Sequence, residues 1–275
     1  MGDGILEKLY GLIGEKLGHT YSPQIHDEIL KSMNIEGHFG VLEVKKELLK
    51  DVIPGLKALN YKGITVTIPY KMDIIKFLDD ISDEARKIGA VNVVNLKDGK
   101  AIGYNTDYYG FGMTLKNYGI DITGEEAIIL GTGGASRAVI QYLIDNGIKK
   151  ITFVSTNVES AKAKYPQYDV INYEQLEQFQ GCSLIINCTP VGMYPKCDAT
   201  PINKRYLTKF KNAVDIIYNP EETLFLREAR EQGLKTVNGM YMLVAQAVKA
   251  EEIWNDREIP FKIIDNIMEH MKAMV

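Results

Sequence analysis

Short apolar runs rich in β-branched residues recur along the chain, separated by stretches whose apolar positions repeat at helical spacing. In the first hundred residues LYGLIG, HFGVLEV and GITVTIP read as strands, the last stopped by Pro69. Residues 22–34 predict a helix: Ser22 stands at the N-cap position, Pro23 suits the first turn, and Ile25, Ile29, Leu30 and Met33 share one face. Residues 45–60 predict a second helix, broken or bent near Pro54. A helix is expected over 71–79 and another helical turn in DEARKIG. VNVVNLKDGKAIGYN reads as a hairpin with Asp98-Gly99 at its turn.

From about residue 107 the texture changes. DYYGFGMTLKNYG predicts a helix ended by Gly119, with Asp107 as its N-cap. AIIL, ITFV, YDVI, LIIN and AVDII follow, nearly pure aliphatic, each expected to lead into a helix. Such strands alternating with helices form a parallel sheet buried on both faces. Two closing helices are expected over 240–255 and 260–273. The predicted fold is α/β with two domains and a cleft between them: residues 1–106 around a mostly parallel sheet, completed by 240–275, and residues 107–239.

Composition narrows this picture without redirecting it. With 275 residues, 45% of them hydrophobic, the chain can bury two cores. A net charge of −4 and a pI near 5.7 leave no basic footprint for nucleic acid. No apolar stretch reaches the roughly eighteen residues of a membrane span. The start MGDGILEKLYGLIG lacks the order of a secretion signal, so a cytoplasmic location is expected. Cys182, Cys188 and Cys197 are too few and wrongly spaced for a disulfide framework. His19, His26, His38 and His270 are scattered, and no metal is expected.

The chemistry begins at AIIL-GTGGASRAVIQYLI. Gly131, Gly133 and Gly134 lie between a strand and a helix, the context a dinucleotide fingerprint requires. Gly131 permits the tight turn, Gly133 lets the backbone approach a pyrophosphate, and Ser136 is small enough for close packing. The helix N-terminus adds free N–H groups. The 107–239 segment therefore reads as a Rossmann-like NAD(P)-binding domain. The next strand runs into Ser155-Thr156-Asn157. An acid there favours NAD and a nearby arginine favours NADP. This chain has neither, which leaves the cofactor open, with Lys162 or Lys164 within reach of a phosphate.

Eight motifs in order, across nearly the whole chain, resemble one family, the shikimate dehydrogenases with their quinate/shikimate relatives. They are HTYSP (19–23), GITVTIPYK (63–71), GAVN (89–92), GYNTD (103–107), GTGGASRA (131–138), NCTPVGM (187–193), DIIYNPEET (215–223) and GMYMLVAQ (239–246). The resemblance implies reversible NADP-linked reduction of 3-dehydroshikimate to shikimate, in the route to chorismate and the aromatic amino acids. It implies that 1–106 with 240–275 bind the substrate. It assigns Lys71 and Asp107 as the catalytic pair: carbonyl reduction needs a proton on oxygen as hydride reaches carbon, and a lysine oriented by a carboxylate supplies or polarises it. It places Thr20 and Ser22 at the substrate carboxylate, Thr67, Asn92 and Gln246 around the ring, and Tyr218 along the same cleft. Toward the cofactor it places Asp83, Gly131, Gly133, Gly134, Ala135, Ser155, Thr156, Asn157, Thr189, Val191, Met193, Ile216 and Gly239.

Three departures matter. Thr20 replaces a common serine, Thr65 replaces a common asparagine, and Ser155-Thr156-Asn157 replaces Asn-Arg-Thr. Loss of the arginine predicts relaxed selectivity for NADP, with NAD possible. A quinate/shikimate or aminoshikimate dehydrogenase using NAD is the neighbouring alternative. A non-catalytic nucleotide-binding paralogue is the distant one, opposed by retention of both Lys71 and Asp107. The partner is then a small molecule, and the chain a monomer or homodimer. His19 is expected to steady its loop, His26 to pack or face solvent, Trp254 to pack, and Tyr70 or Tyr241 to lie near the cleft.

Overall fold

A computed structural model describes residues 7–18 and 20–272. The chain divides into two compact units, one running to Gly110 and resuming at Val244, the other spanning Phe111–Leu243.

The first unit holds β1 (Lys8–Gly14), β2 (Gly37–Glu43), β3 (Tyr61–Val66), β4 (Asp80–Ile81), β5 (Val93–Lys97) and β6 (Lys100–Tyr104), in the order β2-β1-β3-β5-β6-β4. β1 lies parallel to β2 and β3, while β5 and β6 join antiparallel. The reversal is local chemistry: Asp98 and Gly99 have φ of 51° and 75°, the paired positive values of a tight hairpin turn. The helices are α1 (Ser22–Ser32), α2 (Leu49–Ala58), α3 (Asp83–Ile88) and α4 (Thr106–Asn117), whose later turns belong to the second unit. Ile13, Ile53, Ile64, Val66, Tyr70 and Val94 centre the core.

Several expected boundaries shift. Tyr21 already has helical angles, so Ser22 is the first residue of α1 and not its cap. Its hydroxyl instead accepts from Thr20 Oγ1 at 3.0 Å. Pro54 lies inside α2, and the break falls earlier, where a 3₁₀ turn at Lys46–Leu48 meets the helix. Pro54 and Lys50 are both exposed, so water can serve the Lys50 carbonyl that loses its amide partner. The helix expected over 71–79 is a 3₁₀ turn at Asp73–Phe77.

The second unit is a fully parallel sheet of β7 (Glu126–Leu130), β8 (Lys150–Val154), β9 (Asp169–Ile171), β10 (Cys182–Asn187), β11 (Phe210–Asp215) and β12 (Lys235–Val237). Its order, β12-β11-β10-β7-β8-β9, reverses direction between β7 and β10, the point where doubly wound sheets bind dinucleotides. α5 (Gly134–Asp145), α6 (Val158–Lys164) and α7 (Leu224–Glu231) are its connecting helices. Contrary to expectation, β9 and β10 lead into 3₁₀ turns, at Gln175–Glu177 and Lys204–Lys209. The last helices are α8 (Met240–Asn255), which re-enters the first unit at Val244, and α9 (Lys262–Lys272). Among the described residues no helix is long and apolar enough to cross a membrane.

Candidate active site

Lys71 lies just beyond β3, in the turn where Pro69 has ended strand pairing. Its Nζ donates to Asp107 Oδ2 at 2.5 Å, and the two side chains are only 19% and 13% exposed. Asp107 sits in the first turn of α4, where a carboxylate meets the positive end of the helix. It is not the helix cap. Asn105 takes that role, its Oδ1 accepting from Tyr108 N at 3.4 Å while its amide donates to the Ala90 carbonyl at 2.9 Å.

Asn92 holds the pair from behind. Its Oδ1 accepts from the Thr106 backbone N–H at 2.6 Å, which fixes which way the amide faces. Its Nδ2 then donates to Asp107 Oδ1 at 2.9 Å. Thr106 is fully buried and donates from Oγ1 to Gln246 Oε1 at 3.3 Å. α8 thus delivers Gln246 to the same cluster within the first unit. Sequence reasoning missed Thr106; its signal was a hydroxyl inside GYNTD at a helix start, where local polar groups are needed. Thr106→Val keeps the shape and removes the hydroxyl. We expect a stability loss of about 1–3 kcal/mol, the cost of leaving buried partners unmet, and a kcat/KM reduced by roughly tenfold. Unfolding and steady-state measurements check both; an unaltered kcat/KM would remove Thr106 from the site.

Thr20 and Ser22 form a hydroxyl pair of their own, with Ser22 N also donating to Thr20 Oγ1 at 3.2 Å. Thr67 is half-buried beside Gly14 at the end of β1, its N–H on the Ile13 carbonyl. Thr65 is buried and turned onto the Gly11 carbonyl, 3.4 Å away. Tyr70 does not line a site; it is fully buried, with its hydroxyl on the Val44 carbonyl. Tyr241 is buried against the edge of Tyr118. Asp83 is exposed on α3 of the first unit, whereas Tyr218 belongs to the second. His19 lies outside the described residues.

In the second unit the remaining candidates gather at the carboxyl ends of β7, β8, β10, β11 and β12. Gly131 has φ of 92°, and a Cβ there would fall 2.6 Å from Thr189 Cγ2. A Cβ on Gly239 would fall 2.2 Å from the Ile216 carbonyl oxygen, so these two predicted positions touch. A Cβ on Gly134 would meet nothing, so the backbone there borders open space. Gly133 caps α5 with no side-chain partner for the helix N–H groups. A bare helix N-terminus beside open space fits the pyrophosphate of a dinucleotide. Ala135 is half-buried next to it, and Met193 is exposed. Ser155 is committed locally: its Oγ bridges the N–H and carbonyl of Asn157. Asn157 caps α6 through Ser160 N at 2.9 Å. Thr156 is exposed.

Beneath Thr189 lies a carboxylate that sequence reasoning passed over. Asp215 is fully buried and accepts from Asn187 Nδ2 at 3.0 Å, Ile217 N at 3.0 Å and Thr223 Oγ1 at 2.8 Å. Asn187 in turn accepts from Thr189 Oγ1 at 2.7 Å. Burial outweighs the three donors and raises the carboxyl from 3.8 to about 6. Between about pH 4 and 6 the unfolded chain releases a proton that the folded chain keeps, so stability falls as pH rises. A two-unit shift corresponds to about 3 kcal/mol. Asp215→Asn is expected to abolish that decline. Parallel stability profiles for the two proteins from pH 4 to 7 would contradict it.

A family model described as the shikimate dehydrogenase substrate binding domain matches residues 12–94. A protein of Clostridium perfringens named shikimate dehydrogenase (NADP(+)) is 46% identical over 97% of this chain and 99% of its own length. The crystal structure of a chorismate mutase/shikimate 5-dehydrogenase fusion protein from Clostridium acetobutylicum is 47% identical, covers 98% of both chains and superposes with a TM-score of 0.95. Shikimate 5-dehydrogenase from Listeria monocytogenes, solved with shikimate and NAD, is 32% identical over 95% of this chain and 96% of its own, with a TM-score of 0.85.

Proposed function

The chain belongs to the shikimate dehydrogenase family, and from that membership we propose that it catalyses the reversible NADPH-dependent reduction of 3-dehydroshikimate to shikimate. The observation that carries this reading is the Lys71–Asp107 ion pair at 2.5 Å, shielded from bulk solvent and braced by Asn92, Thr106 and Gln246.

The Gly131–Ala135 loop, with Thr189, Ile216 and Gly239, would hold a reduced nicotinamide dinucleotide, which would supply the hydride. The protein's own part is to place the ketone and protonate it. Lys71 donates a hydrogen bond to the carbonyl oxygen and passes its proton there as the carbon is reduced. Asp107 aims the ammonium. Its second oxygen is held by Asn92, so the carboxylate cannot rotate away. Gln246 and Thr67 offer polar groups to the ring hydroxyls. The Thr20 and Ser22 hydroxyls offer donors to the carboxylate, with the Thr20 methyl narrowing that end. Tyr218, Asp83 and Met193 complete the assignment by resemblance.

The three thiols are free, which fits a reducing cytoplasm, and the chain acts as a monomer or homodimer on a small-molecule substrate. The test is shikimate oxidation followed by nicotinamide absorbance, with NADP+ and NAD+ side by side. Turnover with NADP+ is expected. Efficient turnover with NAD+ alone would favour the NAD-using reading, which the Ser155-Thr156-Asn157 sequence makes specific. Cofactor binding without turnover of shikimate or quinate would overturn the enzymatic reading.

A further inference from the structure

An NADP enzyme of this fold ordinarily meets the 2′-phosphate with side chains at the end of the second strand. Here that end is poor in donors. Ser155 is engaged with the backbone of Asn157, Asn157 caps α6, and only the exposed Thr156 hydroxyl remains. The positive charge near the glycine loop comes instead from two other elements.

Lys164, the last residue of α6, folds back so that its Nζ donates to the Thr132 carbonyl inside the glycine loop. Its ammonium lies 5.5 Å from the centroid of the Tyr165 ring. The Tyr165 hydroxyl lies 3.3 Å from Ser136 Oγ, on the first turn of α5. The next residue is Arg137, whose Nε is buried and makes no hydrogen bond among the described residues. The two cations act on each other: the Lys164 ammonium is pushed below the usual lysine range, first by burial and then by Arg137. Neither side chain has a carboxylate partner among the described residues. Two like charges close enough to act on each other, one of them partly desolvated, cost stability unless an anion joins them. The bare N-terminus of α5 serves the pyrophosphate, so this charge is surplus to it.

We propose that Arg137 and Lys164 form the clamp that selects a 2′-phosphorylated adenine dinucleotide, in place of the arginine that Thr156 displaces. This rests on the reading of the chain as a dinucleotide-dependent dehydrogenase and supplies the residues behind its NADP preference. Guanidinium and ammonium groups make short, charge-assisted bonds to phosphate oxygens, and Arg137 offers the forked geometry.

The test is calorimetric titration of the full chain with NADP+ and with NAD+, for the parent, Arg137→Gln, Lys164→Gln and the double variant. In the double variant the NADP+ dissociation constant is expected to rise at least about thirtyfold, or about 2 kcal/mol, with that for NAD+ within about threefold. Raising salt should weaken NADP+ less in the variant than in the parent. Equal weakening of both cofactors would overturn the clamp and place the two cations on the shared pyrophosphate, as would unchanged NADP+ affinity in a variant with the parent's unfolding midpoint. A parent that turns over shikimate but binds both cofactors alike would overturn the clamp and leave the dehydrogenase reading standing. A parent that binds neither cofactor would overturn both.

Discussion

Lys71→Ala is expected to lower kcat for shikimate oxidation by about a thousandfold, or about 4 kcal/mol of transition-state stabilisation, while KM moves by less than about tenfold. The asymmetry follows from where Lys71 acts. On the proposed assignment several polar groups on separate elements hold shikimate, so loss of one donor leaves most binding intact. The charge that develops on the oxygen at the reacting carbon has one cation beside it, and that cation is lost. Asp107→Asn separates positioning from proton supply. It leaves Lys71 in place and keeps an oxygen toward Asn92, but it removes the carboxylate that aims the ammonium. A smaller loss, about a hundredfold, is expected. Steady-state kinetics with shikimate and NADP+ decide the matter. Near-parental kcat in Lys71→Ala would remove Lys71 from the chemistry. A large rise in KM at constant kcat would make it a binding residue only.

The parallel sheet of the second unit was legible because its strands are nearly pure aliphatic and its first turn is a glycine loop in the proper context. β12 was not, since its KTV has one aliphatic residue in three, against two in the equally short DVI of β9. The candidate side chains of the first unit stand out singly in the sequence, each in a motif. Their mutual support was hidden. Asn92, Thr106 and Gln246 come from three separate parts of the chain, and no local pattern announces that they share hydrogen bonds. The same holds for Asp215, an unremarkable acid in sequence whose burial is made by the sheet around it. Arg137 stands inside the GTGGASRA motif, but the cation it acts on, Lys164, follows the next strand. Helix edges were missed by a residue or a turn: Tyr21 was already helical, and Asn105 outcompeted Asp107 for the cap.

Glu251→Ala is expected to cost the first unit about 3–5 kcal/mol, a large share of the roughly 5–15 kcal/mol that holds a domain folded. Sequence placed His26 as a packing or surface residue; the structure buries it completely, its Nδ1 2.7 Å from Glu251 Oε1, which is equally buried. The imidazole lies flat on Phe39, ring centroids 3.9 Å apart, and beside Trp254 at 5.4 Å. Its Nε2 has no partner among the described residues, and Glu251 is the one polar group among them that answers the ring. Glu251 also accepts from Asn255 Nδ2 at 3.0 Å, and Asn255 Oδ1 accepts from Lys8 and Tyr10. Removing the glutamate therefore strands a buried ring and loosens the tie between α1, α8 and β1. The pair's own contribution is a different quantity, because burying both groups is itself costly. The double variant His26→Leu with Glu251→Leu should regain much of the loss by filling the space with apolar volume. Trp254 is the single tryptophan of the chain and stacks in this cluster, so its fluorescence in urea reports the unit directly. If Glu251→Ala unfolds at the parental midpoint, the buried pair contributes nothing to holding α1 against α8. If the double variant is weaker than the single, the His26–Glu251 contact stabilises the unit in its own right and its hydrogen bonds exceed the cost of burial.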